Sequence, residues 1–169
     1  MRFVKLVVLL SILMWGGCGY RLATKRANAG EGRTIAVPTF TNSSTTYRVE
    51  QRLSESLRRE LIQRTRYKVV SGPSGDVLVS GEVLRYGAAA STIISGRASS
   101  YIISVELKIV VTDTRSGEVL YQNPYMRFQE NFEMAPNSSE FVPEEPAAVD
   151  RVAGTFAASL VAALINPKP

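Results

Sequence analysis

The sequence predicts an α+β fold: a two-layer sandwich with two helices packed on one face of a mixed, mostly antiparallel sheet, in the order β-α-β-β-β-β-α. Three observations carry this. From Tyr101 to Thr112 apolar residues recur at every second position (Tyr101, Ile103, Val105, Leu107, Ile109, Val111), the mark of a strand with one buried face. Between Tyr47 and Arg64, Val49, Leu53, Leu57 and Leu61 recur every four residues, with Ile62 beside them. After Pro146, Val149, Val152, Phe156, Leu160, Ala163 and Leu164 recur at steps of three and four. Both spacings are helical. Two one-sided helices and a one-sided sheet bury one another by stacking in two layers.

The chain has 169 residues, which suits one domain. Residues 1–17 read as a leader. Arg2 and Lys5 give a basic start, and Leu6–Trp15 is an apolar run followed by Gly16 and Gly17. A helix that spans a bilayer needs about 20 apolar residues, so this run is too short. A short apolar run ending in small residues has the layout of a secretory signal peptide. Cys18, directly after it, is the one cysteine in the chain. An exported chain with a single cysteine forms no internal disulfide, and an orphan thiol needs an explanation. Gly16-Gly17-Cys18 resembles a lipobox, in which the cysteine sulfur takes up diacylglycerol and cleavage exposes an N-terminus that is then acylated. Gly19, where an aspartate would favour the inner membrane, fits the outer membrane. Residues 18–33 then read as lipidated cysteine and tether, and residues 34–166 as a single domain.

Within that domain Thr34–Phe40 reads as a strand that Pro38 places at an edge or ends. The polar loop Thr41–Thr46 is rich in residues that cap helix N-termini. The arginines of the first helix (Arg48, Arg52, Arg58, Arg59) read as a solvated face. Tyr67–Val70 and Asp76–Tyr86 read as strands separated by the turn Ser71–Gly75. Gly81 inside the second marks a bulge or a close approach. Gly87–Ser100, small and polar, reads as a flexible hairpin tip. Asp113–Gly117 is a hairpin turn. In Glu118–Met134 the apolar parity switches at Asn123-Pro124, which predicts a bulge there. Asn166 and Pro167 end the last helix.

The chemistry such a chain can carry is limited. It has no histidine and no second cysteine, which excludes Ser-His-Asp and Cys-His catalysis and the common zinc sites. No phosphate-cradling glycine loop is present. Glu130 and Glu133 fall on opposite faces of a strand, Glu144 and Glu145 sit together beside prolines, and Asp113 and Glu118 flank a turn, so no carboxylates converge. The reading is a non-enzyme with no cofactor and no metal. Basic residues exceed acidic ones by 20 to 15. With no basic run interleaved with aromatics, nucleic acid is not the expected partner.

Cys18-Gly19-Tyr20-Arg21-Leu22, then IAVPTFTN, LSESLRRELIQRTRYKVV, DVLVSGEVL, TDTRSGEVLY and a C-terminal amphipathic helix follow one another along the chain. This series resembles the lipopolysaccharide-assembly lipoprotein family LptE. The resemblance implies an outer-membrane lipoprotein on the periplasmic side, anchored through Cys18. It implies a protein seated in the lumen of an LptD-type β-barrel, which it plugs, helps to assemble, and assists in delivering lipopolysaccharide to the outer leaflet. It also implies lipopolysaccharide contact through basic residues near a strand–loop–strand tip, where Arg97 lies, with Arg85 and Arg127 as further candidates. A polar strand face with Glu106, Lys108, Arg127 and Gln129 suits a polar barrel interior. Strands of the IAVPTF kind followed by an amphipathic helix also occur in lipoproteins that activate cell-wall synthases or build secretion complexes, and that is the alternative.

Overall fold

The long alternating strand lies next to the edge strand of a six-stranded sheet in the computed structural model, which describes residues 30–46, 48–94, 97–133 and 144–166. The expected leader, residues 1–17, and Cys18 lie outside the described residues. The elements are β1 Thr34–Ala36, β2 Thr41–Asn42, α1 Val49–Arg64, β3 Lys68–Val70, β4 Val77–Ile94, β5 Arg97–Asp113, β6 Val119–Glu133 and α2 Glu144–Ile165. The sheet order is β3-β1-β4-β5-β6, with β2 also on β4. β1 pairs in parallel with β3 and β4, and β2 in parallel with β4. β4, β5 and β6 form a long antiparallel meander. The α+β two-layer expectation holds.

Alternation along β5 sets the layers. Ile103, Val105, Leu107, Ile109 and Val111 are fully buried in one core with Leu53, Leu57 and Leu61 of α1 and Val152, Phe156 and Leu160 of α2. α1 packs on α2, and α2 lies along β6. Pro146–Ile165 is long and apolar enough to cross a bilayer, yet Val149, Val152, Phe156 and Leu160 bury their side chains in the domain core. Ile62 departs from the expected stripe and is exposed, because it lies one residue round the helix from Leu61.

Several local readings change. The first expected strand, Thr34–Phe40, is shortened to β1, which ends two residues before Pro38, and the two-residue β2 forms at the start of the expected Thr41–Thr46 loop. Gly81 answers the close approach of a side chain: a Cβ there would sit 2.6 Å from the Phe40 ring, while the bulge falls at Leu84. The Thr41–Thr46 loop does not cap α1 with a side chain. Asn42 instead organises the loop, donating to the Thr46 carbonyl and to Glu50 (both 2.8 Å) and accepting from the Ser44 N–H (2.9 Å). Arg58 donates to the Val37 carbonyl (2.8 Å) and Arg52 pairs with Asp150 of α2 (2.6 Å), so these two arginines tie elements together rather than only facing water. Gly87–Ser100 is mostly strand: β4 continues to Ile94 and β5 begins at Arg97. The ladder bonds are made by main-chain groups, so a run of Ala, Ser and Thr extends it once the register below is fixed. The parity break at Asn123-Pro124 is a register shift between Leu107 and Ile109, as expected, and a second shift lies at Leu120.

The lower end of the meander is closed by charge. Gly117 adopts φ 74 in the turn, and Asp113 accepts the Arg115 N–H (2.9 Å). Arg33, just before β1, pairs with Asp113. Asp76 accepts the Thr34 N–H (2.8 Å) and pairs with Arg115. Gly30–Arg33 form a turn (Arg33 N–H to Gly30 carbonyl, 3.0 Å), and Gly30 lies against the Tyr67 ring so closely that a Cβ would collide with it. The Thr34 N–H, and then Arg115, hold the Asp76 carboxyl below its ordinary range; Arg33, then the Arg115 N–H, do the same for Asp113.

Two predictions follow from this packing. Leu57→Ala removes a fully buried side chain and lowers unfolding free energy by about 2–5 kcal/mol; a denaturant titration checks it, and a change within about 0.5 kcal/mol, the range of surface substitutions, contradicts it. Asp76 and Asp113 have folded pKa values below their unfolded ones, so their contribution is present above about pH 4 and disappears as pH falls through the lowered folded values. The urea midpoint of the parent therefore drops on acidification from about pH 5 to about pH 2 by more than that of the Asp76→Asn/Asp113→Asn variant; equal drops contradict the assignment.

Candidate functional site

The helices cover one sheet face and leave the other open. On the open face of β5 the alternation puts Ile102, Ser104, Glu106, Lys108, Val110 and Thr112, and Glu106 is the exception among them. It is only 4% exposed although its face is free. A carboxylate withdrawn from water is costly unless it is paired and hydrogen-bonded. Its partners come from the strands on either side. Arg85 lies directly opposite on β4, and Arg127 directly opposite on β6. Arg85 Nη1 is 3.3 Å from Glu106 Oε2, and Arg127 Nε is 3.5 Å from Oε1. Tyr125 donates its phenol proton to the same carboxylate; that bond, with desolvation and the negative charge behind it, raises the Tyr125 pKa above its ordinary value.

Two bulges make this constellation. Without the extra residue at Leu84, Arg85 would turn to the helix side; with it, Arg85 shares the Glu106 face. Without the irregularity at Pro124 and Tyr125, Arg127 would not stand opposite Glu106. Re-aiming a side chain is a common result of a bulge.

The structure thus brings Arg85 and Arg127 together and leaves Arg97 apart. Arg97 is the first residue of β5, opposite Ile94, nine positions from Glu106 and so roughly 30 Å along the strand. Sequence reasoning placed Glu106 and Arg127 on a polar face but did not see that Glu106 is buried there, and it missed Tyr125. The signal for Tyr125 was its parity with Arg127 and Gln129; what hid it was the size of the bulge, which the sequence does not state.

Chemically the cluster offers two guanidiniums and one carboxylate. Both arginine side chains remain well exposed, 76% for Arg85 and 52% for Arg127, and each guanidinium carries five donors. Glu106 satisfies some of these and fixes both forks against the sheet. The remaining donors face outward, able to receive an anionic group. Around them the open face is polar, with a groove between the Pro38–Thr41 segment and Ser80, Glu82, Lys108 and Val110. Among the described residues no group of acidic or sulfur ligands is arranged for a metal.

Known proteins match this chain in two ways. The sequence profile of the LptE family, described as lipopolysaccharide-assembly, matches residues 32–164. Among curated proteins none matches by sequence. Solved structures share the fold at low identity. A hypothetical protein of Chlamydia trachomatis is 12% identical, with 81% of this chain and 96% of that chain covered and a TM-score of 0.55. An uncharacterized lipoprotein B of Nitrosomonas europaea is 10% identical, with 80% and 84% covered and a TM-score of 0.53. A protein of Xanthomonas campestris is 12% identical, with 82% and 86% covered and a TM-score of 0.53. At these identities the likeness establishes the fold. The profile match runs from the turn before β1 to the last turn of α2, and by it the chain belongs to the LptE family of lipopolysaccharide-assembly proteins.

Proposed function

We propose that this chain is a lipid-anchored protein of the outer membrane, facing the periplasm, that plugs an LptD-type β-barrel, supports the barrel's assembly and assists lipopolysaccharide delivery to the outer leaflet. The observation that carries this reading beyond family membership is the open sheet face. It is broad and polar, and it holds its one buried carboxylate under two arginines and a tyrosine. A barrel lumen of that kind is itself polar, so the two surfaces can meet without burying unpaired apolar area. The work is contact and shape, and no catalytic step or cofactor is assigned.

Residues 1–17 act as the signal peptide in this reading, and residues 18–33 carry the anchor and lead into the domain. Cys18 is the attachment point. Each buried CH₂ contributes about 0.8 kcal/mol, so two or three acyl chains hold where one would let go. Lipopolysaccharide contact is assigned to Arg85 and Arg127 together, as a paired site for a phosphate or carboxylate, and to Arg97 separately at the meander tip.

Affinity purification through this chain from detergent-solubilised envelopes is expected to recover a large outer-membrane β-barrel. Recovery of a peptidoglycan synthase or a secretion-complex component in its place overturns the reading. Palmitate labelling of the purified chain is expected to vanish in Cys18→Ser; label that persists removes the anchor assignment. Arg85→Ala/Arg127→Ala is expected to weaken lipopolysaccharide binding by the purified chain about tenfold, the scale of one lost charge-assisted pair. Arg97→Ala is measured beside it, and binding equal to the parent's removes whichever arginines were changed.

A further inference from the structure

Glu106 is a costly residue for its position, and the sheet does not require it. Ile102 and Val110 stand on the same face of β5, four residues before it and four after, so that row accepts apolar side chains. Lys108, two residues on, carries its charge exposed. The Glu106 side chain is instead withdrawn from water beneath arginines that are themselves well exposed. A buried ion pair is weak evidence for stability, because desolvation offsets the attraction. Two register irregularities on different strands bring the arginines to this carboxylate, one at Leu84 of β4 and one between Leu107 and Ile109 in the pairing with β6. Bulges re-aim side chains, and here two of them aim at the same group.

The manner of holding leaves the arginines able to bind something else. Arg85 approaches through Nη1 at 3.3 Å and Arg127 through Nε at 3.5 Å, each toward a different carboxylate oxygen. Both distances exceed the roughly 2.7–2.9 Å of a charge-assisted hydrogen bond. Glu106 therefore steers the guanidiniums by charge more than it consumes their five donors. β4 and β6 flank β5, so the two arginine backbones stand two strand spacings apart, about 10 Å. A carboxylate midway between them draws both side chains inward, toward one spot above β5. The Tyr125 phenol donates to the same carboxylate and holds it in turn. Two guanidiniums over one carboxylate leave the cluster with a single net positive charge.

We propose that Glu106 is the positioning residue of the anion contact: it makes Arg85 and Arg127 act as one site for a single anionic group of the ligand, where they would otherwise be two separate surface cations. This rests on the assignment of lipopolysaccharide contact to that arginine pair. Ordering long side chains costs binding free energy, and a carboxylate already holding them removes that cost before the ligand arrives. The same negative charge repels the ligand, so charge and position act with opposite signs. Position outweighs charge because Glu106 lies beneath the guanidiniums, which stand between it and an anion on their outer donors.

The test measures binding of purified lipopolysaccharide by the full chain in detergent at one fixed ionic strength, with thermal melts beside it. Glu106→Gln keeps the shape and removes the charge that draws in both arginines. Glu106→Asp keeps the charge but falls one methylene short of them. Both are expected to bind about fivefold more weakly, the lower end of the ordering cost of two long side chains. Equal or tighter binding by Glu106→Gln overturns the proposal, because removing a negative charge from an anion site otherwise strengthens it. Parent-like binding by Glu106→Asp overturns it as well, since charge without position then suffices. In the parent, Arg85→Ala and Arg127→Ala are each expected to lose most of what the double variant loses; losses that simply multiply contradict a single site. A further measurement needs no substitution at Glu106: the ¹⁵N order parameters of arginine Nε in the ligand-free parent. Values near 0.85 mark rigid groups and values below about 0.6 flexible ones. Arg85 and Arg127 are expected to lie above Arg59, an exposed residue of α1. Equality with Arg59 overturns the proposal, and this comparison decides it should both Glu106 variants unfold. A parent that binds no lipopolysaccharide, or an Arg85→Ala/Arg127→Ala variant that binds it like the parent, removes the underlying assignment whatever stands at position 106, and this inference with it.

Discussion

Phe156 is the contact on which the arrangement of layers depends. It sits fully buried in the middle of α2 and meets two rings edge-on: Phe40, from the link between β1 and β2, at 6.0 Å, and Phe128 of β6 at 5.9 Å. Edge-to-face aromatic pairs contribute beyond the area they bury. These two join the first and last strands of the sheet, through α2, into one core. Phe40 can be there only because Gly81 on β4 has no Cβ, and its backbone is fixed by the Ser54 hydroxyl of α1, which accepts the Phe40 N–H at 2.9 Å and donates to the Glu50 carbonyl at 2.6 Å. One side chain therefore explains why a glycine interrupts a strand and why a serine is buried in α1.

That core occupies one face and only part of the meander's length. α2 has 22 residues and β4 has 18, but a strand rises about 3.3 Å per residue against 1.5 Å for a helix. β4 and β5 thus outrun the helices by a wide margin. The excess forms the meander tip, where Tyr101 and Phe132 stack at 5.3 Å while the neighbouring alanines of β4 stay exposed. A domain that needed only its own stability would gain little from strands of this length.

How much of this was legible in the sequence follows from the range of each signal. Period-two alternation in β5 and the four-residue stripes of both helices are local patterns that report burial directly, and they located the core. The parity break at Pro124 reported a bulge because the proline and the switch coincide. Gly87–Ser100 reads as a flexible hairpin tip and not as paired strand because small residues carry little alternation; its pairing is dictated by the ladder below it, a non-local cause. The Glu106 cluster was hidden for a related reason. Its members lie on three strands, and bringing Arg85 and Arg127 opposite one carboxylate requires the register of both pairings, including a bulge at Leu84 that no proline or glycine announces. Composition alone made Glu106 look like any outward-facing polar residue.

The charge arrangement on the open face also bears on what kind of surface it is. Glu106 is nearly buried by the arginines and tyrosine that satisfy it, so the carboxylate is shielded while the guanidiniums face outward. A general acid or base would need the opposite: a titrating group open to a substrate and held in a cleft. Here the group at the centre is closed off and paired with Arg85, Arg127 and Tyr125. Its effect is to hold two flexible cations in place before anything binds, which reduces the ordering cost that long side chains otherwise add to an encounter. Preorganised, half-neutralised arginines on a polar sheet face have the make-up of a contact surface, and they are the groups on which the proposed contact with an anionic partner rests.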